Sequence, residues 1–384
     1  MLKVSTNFAT FPGFVWSYGL KMPLETQSPS PVLAPGRAFH KIRHRTWEDC
    51  YFTFPGPPAD GAHGIHPSLR EGGALVAEVH HFGDERAIAS AREEIRTGLF
   101  DAPETALLLK KGAPGGVQVR TLSGVSSTPL LDEGLVIGRC FEDSDAKYCI
   151  LGNLRPRNPS AAPGEQTLDV LQRIQMALES VDMDFRHVVR TWFYNDRILD
   201  WYAEFNTARS EFFERHGITL IPASTGIGVS NTAGAALVAK AIAVAPKNQT
   251  VSIRRVESPL QSEASNYGSA FSRALEVADR AARVLYISGT ASIEANGETA
   301  HVGDAAKQIE KTVEVAEAIL ARNGMSLSDT VRAIGYFRRR EHIPLWHQYC
   351  RNRDLSAFPI ILTECEVCRR DLLFEIEIAA ARAV

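Results

Sequence analysis

Two groups of side chains in this sequence have the type and spacing for reaction chemistry: a carboxylate pair near the C-terminus and a set of arginines. The tail CEVCRRDLLFEIEIAA reads as a strand. Its period of two puts Glu375 and Glu377 on one face, with Phe374, Ile376 and Ile378 on the other. One such carboxylate, turned into a groove at the strand end, would have a raised pKa and act as an acid or base. The plainer alternative is an edge strand whose carboxylates face water. Among the arginines, Arg209 follows Phe205 and Asn206 and precedes Phe212 and Phe213, on a helix with an aromatic face. Arg273 follows NYGSAFS, where Gly268 permits a tight turn. Arg155 and Arg157 stand at a strand-to-loop exit in NLRPRNP. Each alone reads as a solvated or salt-bridged side chain. Several converging on one groove would bind a small anion rich in carboxylates, because the guanidinium fork matches a carboxylate.

Other chemistries have little support. The sequence has no G-x-G-x-x-G opening a βαβ unit, no G-x-x-x-x-G-K-[ST] and no H-E-x-x-H. Cys365 and Cys368 form a lone C-x-x-C among six cysteines, without the second pair or spaced histidines that a zinc site needs. No metal, nucleotide cofactor or disulfide framework is expected. The 384 residues carry 42 Lys+Arg against 45 Asp+Glu, a net charge of -3. That balance opposes a broad basic surface, and only YFRRREH around Arg338, Arg339 and Arg340 is locally basic, so nucleic acid is not an expected partner. No run approaches the roughly 20 apolar residues of a membrane span. The start, MLKVS, lacks a signal-peptide apolar core. A soluble cytoplasmic protein is the expectation.

The elements that must position these residues repeat. KYCILGNLRP, a loop and GEQTLDVLQRIQMALESVDMDFRHVVRTWFY form a first copy. RVLYISGTAS, a Gly-rich loop and HVGDAAKQIEKTVEVAEAILARNGMSLSDTVRAIGYF form a second. Each reads strand, loop, helix, turn, strand. Leu168, Leu171, Ile174 and Leu178 recur at helical spacing in the first, as do Ile309, Val313, Ala316 and Leu320 in the second. After each copy the pattern continues as helix, strand, loop, strand. The sequence predicts an α+β fold with two pseudo-symmetric units, each a mixed sheet with helices on one face. The boundary falls near residue 247, giving 1–247 and 248–384. Leu75–Phe82, Val117–Leu122, Gly134–Cys140 and Lys147–Gly152 are further strand candidates, and Asp84–Leu99 reads as a helix. About 70 proline-broken residues precede the first unit as an irregular N-terminal extension. The groove between the units is the expected site.

The second unit resembles the Rid/YjgF-like (chorismate-mutase-like) fold, through YISGT, NGMSLSDTVRAIGYF and LLFEIEIAA. The two-unit arrangement resembles the chorismatases, enzymes that split chorismate. FNTARSEFF, IPASTGIG, NYGSAFSRA, YISGTASI and VCRRDLLFEIE carry that narrower likeness across most of residues 145–384. Simple Rid proteins have an arginine that grips the carboxylate of an imino acid. Ser224 and Ile361 stand in its place here, which makes imine deaminase or ribonuclease activity a weaker expectation. The resemblance implies that Glu375 is the catalytic glutamate. It also implies that Cys368 marks members forming 3-hydroxybenzoate; members that hydrolyse chorismate to a dihydroxycyclohexadiene carboxylate have another small or apolar residue there. Arg209 and Arg273 look like ligands of the substrate carboxylates, and Tyr202 and Tyr267 like hydrogen-bond donors to the same anion. Arg155 is a further candidate, and Gly268 and Ala270 lie near a second position that discriminates products. The partner implied is chorismate, with no metal, flavin or nicotinamide. A monomer or a homotrimer is expected, since single-unit Rid-like proteins assemble as trimers. A Rid-like small-molecule binder without catalysis is the alternative.

Overall fold

The computed structural model describes residues 38–56, 74–97, 102–264 and 268–384. These residues build three six-stranded sheets rather than two. The third sheet in chain order follows the expected pattern. It contains β13 (Ser252–Val256), β14 (Ala274–Ala278), β15 (Ala282–Ala291), β16 (Thr330–Phe337), β17 (Ile360–Glu364) and β18 (Phe374–Ala383), in the order β13-β14-β15-β18-β16-β17. Helices α4 (Ala305–Arg322) and α5 (Ile343–Arg353) cover its outer face. The second sheet repeats that topology with β6 (Ser127–Asp132), β7 (Leu135–Glu142), β8 (Ala146–Leu154), β9 (Val188–Asn195), β10 (Ala223–Gly228) and β12 (Leu237–Pro246). Its helices are α2 (Pro163–Glu179) and α3 (Ile198–Arg215). Local signals explain the helix positions. Pro163 occupies the first turn of α2, where its missing N–H costs nothing. The Asp304 carboxylate caps α4 by accepting the Lys307 N–H at 3.0 Å. Leu171, Ile174 and Leu178 of α2 and Ile309, Val313, Ala316 and Leu320 of α4 are buried against the sheets, as their spacing predicts.

The first sheet corrects the expected irregular extension. Hairpin β1 (Ala38–Arg43) and β2 (Glu48–Pro55) joins β3 (Leu75–Gly83), β4 (Glu104–Leu108) and β5 (Gly116–Ser123), with α1 (Glu85–Thr97) between β3 and β4. The order is β1-β2-β5-β3-β4, extended by β11 (Ser230–Asn231), which pairs with β4. Predicted strands 75–82 and 117–122 therefore belong to a sheet of their own. Its shorter strand set hides the repeat, and β2 pairs with β5 across a long sequence interval. Residues 1–37 and 57–73 of the expected extension lie outside the described residues.

The three sheets close a ring. The parallel outer strand of each abuts the next sheet: β4 meets β8, β10 meets β15 and β17 meets β2. Their inner faces share one apolar core, while separate clusters bury the outer faces under the helices. Phe82, Tyr194 and Tyr336, each next to last in its strand, converge at the centre. The Phe82 ring lies 6.3 Å from each of the other two. Strand registers then define equivalent positions: Phe82 faces Gly116, Tyr194 faces Val238 and Tyr336 faces Glu375. Two residues further on, Gln118, Lys240 and Glu377 form a buried polar ring, each meeting a side chain of the preceding sheet. Arg332 donates to Gln118 at 2.5 Å, Arg190 donates to Glu377 at 3.0 Å, and Lys240 pairs with Glu78. Burying these groups is tolerable only because they are matched.

Candidate active site

The junction of the second and third sheets opens into a cavity of about 630 Å³. Helix α3 supplies Tyr202, Phe205 and Arg209 on one side; the 268–273 segment supplies Gly268, Phe271 and Arg273 on another. Strands β15 and β18 bring Gly289 and Glu375, and the loop before β18 brings Cys368 and Arg369.

Glu375 stands near the start of β18, paired with Ala291 of β15 and Tyr336 of β16. It is buried, and burial together with the nearby Glu377 charge pushes its carboxyl up to about 8, partly offset by Arg190. At neutral pH it therefore holds its proton. A register irregularity in β15 lies beside it, and a Cβ on Gly289 would run into Glu375 Oε1. The glycine thus makes room for the carboxyl group.

The two expected arginines are both in the cavity wall and both buried. Arg209 donates from Nη2 to Asn206 Oδ1 at 2.7 Å and lies 4.8 Å over the Phe205 ring. Arg273 donates from Nε and Nη2 to the Ser262 carbonyl at 3.0 and 2.6 Å, with the Phe271 ring 5.3 Å away. These contacts fix the guanidinium groups in advance, so little side-chain freedom is left to lose on binding an anion. Arg369 is a third cation, donating to the Gly297 carbonyl at 2.6 Å.

Cys368 is pushed up to about 12 by burial and by Glu375, so it remains a thiol. Tyr202 reaches both Cys368 and the Ser269 hydroxyl, the latter at 3.5 Å, and burial raises its phenol as well. Neither group is a ready nucleophile; both are neutral donors beside the buried acid.

The structure thus brings together Glu375, Cys368, Arg209, Arg273, Tyr202 and Gly268. Arg155 is not in the cavity wall; it leaves β8, the strand that abuts β4. Ala270 packs against the apolar cluster of the second sheet instead of facing the cavity. Tyr267 lies outside the described residues. The C-x-x-C pair is divided: Cys365 points into the shared core and Cys368 into the cavity. Ser224 lines the cavity and accepts the Thr191 hydroxyl at 3.0 Å, whereas Ile361 is wholly buried in the shared core. Sequence reasoning missed Arg369 and Gly289. Arg369 had a signal, its place next to Cys368. Gly289 had none, because its importance depends on a carboxyl group from a distant strand.

Comparison with known proteins agrees with this architecture. The family described as Endoribonuclease L-PSP matches residues 155–245. A 3-hydroxybenzoate synthase from Streptomyces hygroscopicus is 29% identical over 225 residues, covering 51% of this chain. This chain spans 64% of that relative's length. A crystal structure of chorismatase matches with a TM-score of 0.59 and 20% identity, covering 83% of this chain and 96% of that one. A YjgF-family protein from Mycobacterium tuberculosis is 20% identical, covering 34% of this chain and 98% of its own, at a TM-score of 0.26. The chain has a Rid/YjgF-like fold with sequence and structural similarity to chorismatase and 3-hydroxybenzoate synthase. Among the described residues, no helix is long and apolar enough to cross a membrane.

Proposed function

We propose that this protein is a cofactor-free chorismatase that converts chorismate to 3-hydroxybenzoate and pyruvate. The observation that carries the reading is Glu375: a buried carboxyl that holds its proton at neutral pH, in one cavity with three arginines. Chorismate has two carboxylates, an enolpyruvyl ether and a ring hydroxyl. A dianion entering this cavity needs at least two cationic partners to offset its lost hydration, and Arg209, Arg273 and Arg369 are available. The volume, about 630 Å³, suits a small metabolite.

Cleavage begins when Glu375 gives its proton to the terminal methylene of the enol ether, leaving an oxocarbenium ion. The Glu375 carboxylate so formed faces that cation. Capture by the substrate's own ring hydroxyl, followed by loss of pyruvate and aromatisation, returns the proton and yields 3-hydroxybenzoate without consuming water. Capture by water instead gives the dihydroxycyclohexadiene carboxylate. The presence of Cys368 beside Glu375 favours the first course, because a soft, neutral thiol occupies space that water would otherwise fill. Ser224 in the cavity wall, where an imine deaminase would need its arginine, weighs against that activity. The three sheets close their ring within one chain, which favours a monomer over a homotrimer.

The test is incubation with chorismate and resolution of the products. Equal amounts of pyruvate and 3-hydroxybenzoate are expected. Pyruvate with a non-aromatic diol moves the reading to the hydrolytic reaction, and no pyruvate removes it.

A further inference from the structure

The polar ring at the centre of the molecule contains a carboxylate that the reaction does not touch. Glu377 lies two residues beyond Glu375 on the same strand face and is only 3% exposed. It accepts the Arg190 Nη2–H at 3.0 Å and the Trp192 Nε1–H at 2.8 and 2.9 Å. The same Arg190 nitrogen donates to Thr225 Oγ1 at 2.5 Å. Thr225 Oγ1 also accepts the Gly289 N–H at 3.1 Å. Gly289 is the residue whose missing side chain accommodates the Glu375 carboxyl. Contacts therefore run from Glu377 through Arg190 and Thr225 to the backbone around Glu375.

Comparison of the three sheets indicates that packing alone does not require a charge at this position. Its equivalents are Gln118 and Lys240, and Gln118 satisfies Arg332 with a neutral amide. A glutamine oxygen could likewise accept from Arg190, while its amide nitrogen would face the Trp192 N–H that now donates to both Glu377 oxygens. The positions equivalent to Glu375 are Gly116 and Val238. The third sheet thus has two carboxyl groups in succession where the other two have none.

The geometry points to Glu377 as the positioning residue for Glu375: a side chain fixed by Arg190 and Trp192, beside which the transferable proton stays on Glu375. This rests on the reading of Glu375 as the acid of the reaction. Two carboxyl groups on one buried face do not both ionise readily. The cation and the indole N–H both serve Glu377 and not Glu375. The remaining titratable or charged groups around it are Tyr194 of β9, Lys240 of β12, and Tyr336 and Arg332 of β16. Burial keeps both tyrosines protonated. Lys240 pairs with Glu78, and Arg332 is held by Gln118 and His80.

The experiment is an infrared titration of the carboxyl bands without substrate, from pH 5 to 9, on the full chain. Glu375 is identified by the band that Glu375→Gln removes. In the wild type this band is expected to titrate near pH 8. In Glu377→Gln the Glu375 midpoint is expected to fall by about one pH unit or more. The alkaline limb of turnover should move by the same interval. An unmoved or raised midpoint in Glu377→Gln overturns the inference. If that variant does not fold, the wild type still decides: Glu375 titrating in the ordinary carboxylate range overturns it. Absence of chorismate turnover with a shifted midpoint sinks the proposed function and leaves this inference standing; turnover with an unmoved midpoint does the reverse.

Discussion

Two junctions of the ring hold hollows of similar volume and different contents. Between the second and third sheets lies the cavity of about 630 Å³ with Glu375 and three arginines. Between the third and first sheets lies one of about 540 Å³, bordered by α5, β17 and the end of β2. There α5 contributes Trp346, His347 and Cys350, where α3 contributes Tyr202 and Arg209 to the first cavity. Gly116 holds the register position of Glu375. The ring repeats the hollow, but only one hollow has an acid and a set of fixed cations. Fold supplies the junction, and side chains decide whether it is a site.

Removing the acid gives the largest expected difference between the two. Glu375→Gln should lower turnover by about 10²–10⁴-fold while chorismate still binds, as measured by steady-state kinetics and equilibrium titration. Undiminished turnover would take Glu375 out of the mechanism. The same variant has a stability signature. Because the folded carboxyl titrates near 8, above its unfolded value, its favourable contribution is complete at low pH. It is lost as pH rises through about 8. Glu375→Gln lacks this dependence, so it should melt above the wild type at pH 9, with the gap closing toward pH 4.

The next effect concerns space. Gly289→Ala places a methyl group against the Glu375 carboxyl. A displacement of this kind costs up to about 100-fold in rate, so kcat should fall with KM little changed. The reverse split would mean that Gly289 shapes binding instead. Arg273→Met or Arg209→Met should act mainly on KM, by about 10–100-fold, the usual worth of a hydrogen bond to a charged group. If kcat falls and KM holds, the arginines act in the transition state alone.

Sequence reasoning reached what is local. Period-2 alternation places Glu375 on a strand face, and an aromatic helix face carries Arg209, so both could be read from a few residues. Arg155 looked equivalent to them, but its short context did not reveal that β8 borders another junction. Glu377 and Arg190 are 187 positions apart, and their meeting depends on the ring closing. The first sheet was missed for the same reason: β2 pairs with β5, and the 57–73 interval separates β2 from β3. Long-range pairing, rather than weak propensity, hid these features.

The smallest expected effect tests the second hollow. His347 is exposed on α5 and borders that cavity with Trp346 and Cys350. His347→Ala should leave chorismate turnover within about twofold of wild type, as surface substitutions away from a site usually do. The reason lies at Gly116. A Cβ there would run into the Phe54 carbonyl oxygen and come within 3.2 Å of Ile361 Cδ1. No acid can occupy Glu375's equivalent position unless β2 moves. Among the described residues, the wall of this hollow has no carboxyl group, so it lacks a proton donor like Glu375. If it nevertheless handled chorismate, Glu375→Gln would retain turnover that His347→Ala reduces. Measuring the double variant against both single ones separates the cases: turnover in the double variant should equal that of Glu375→Gln alone.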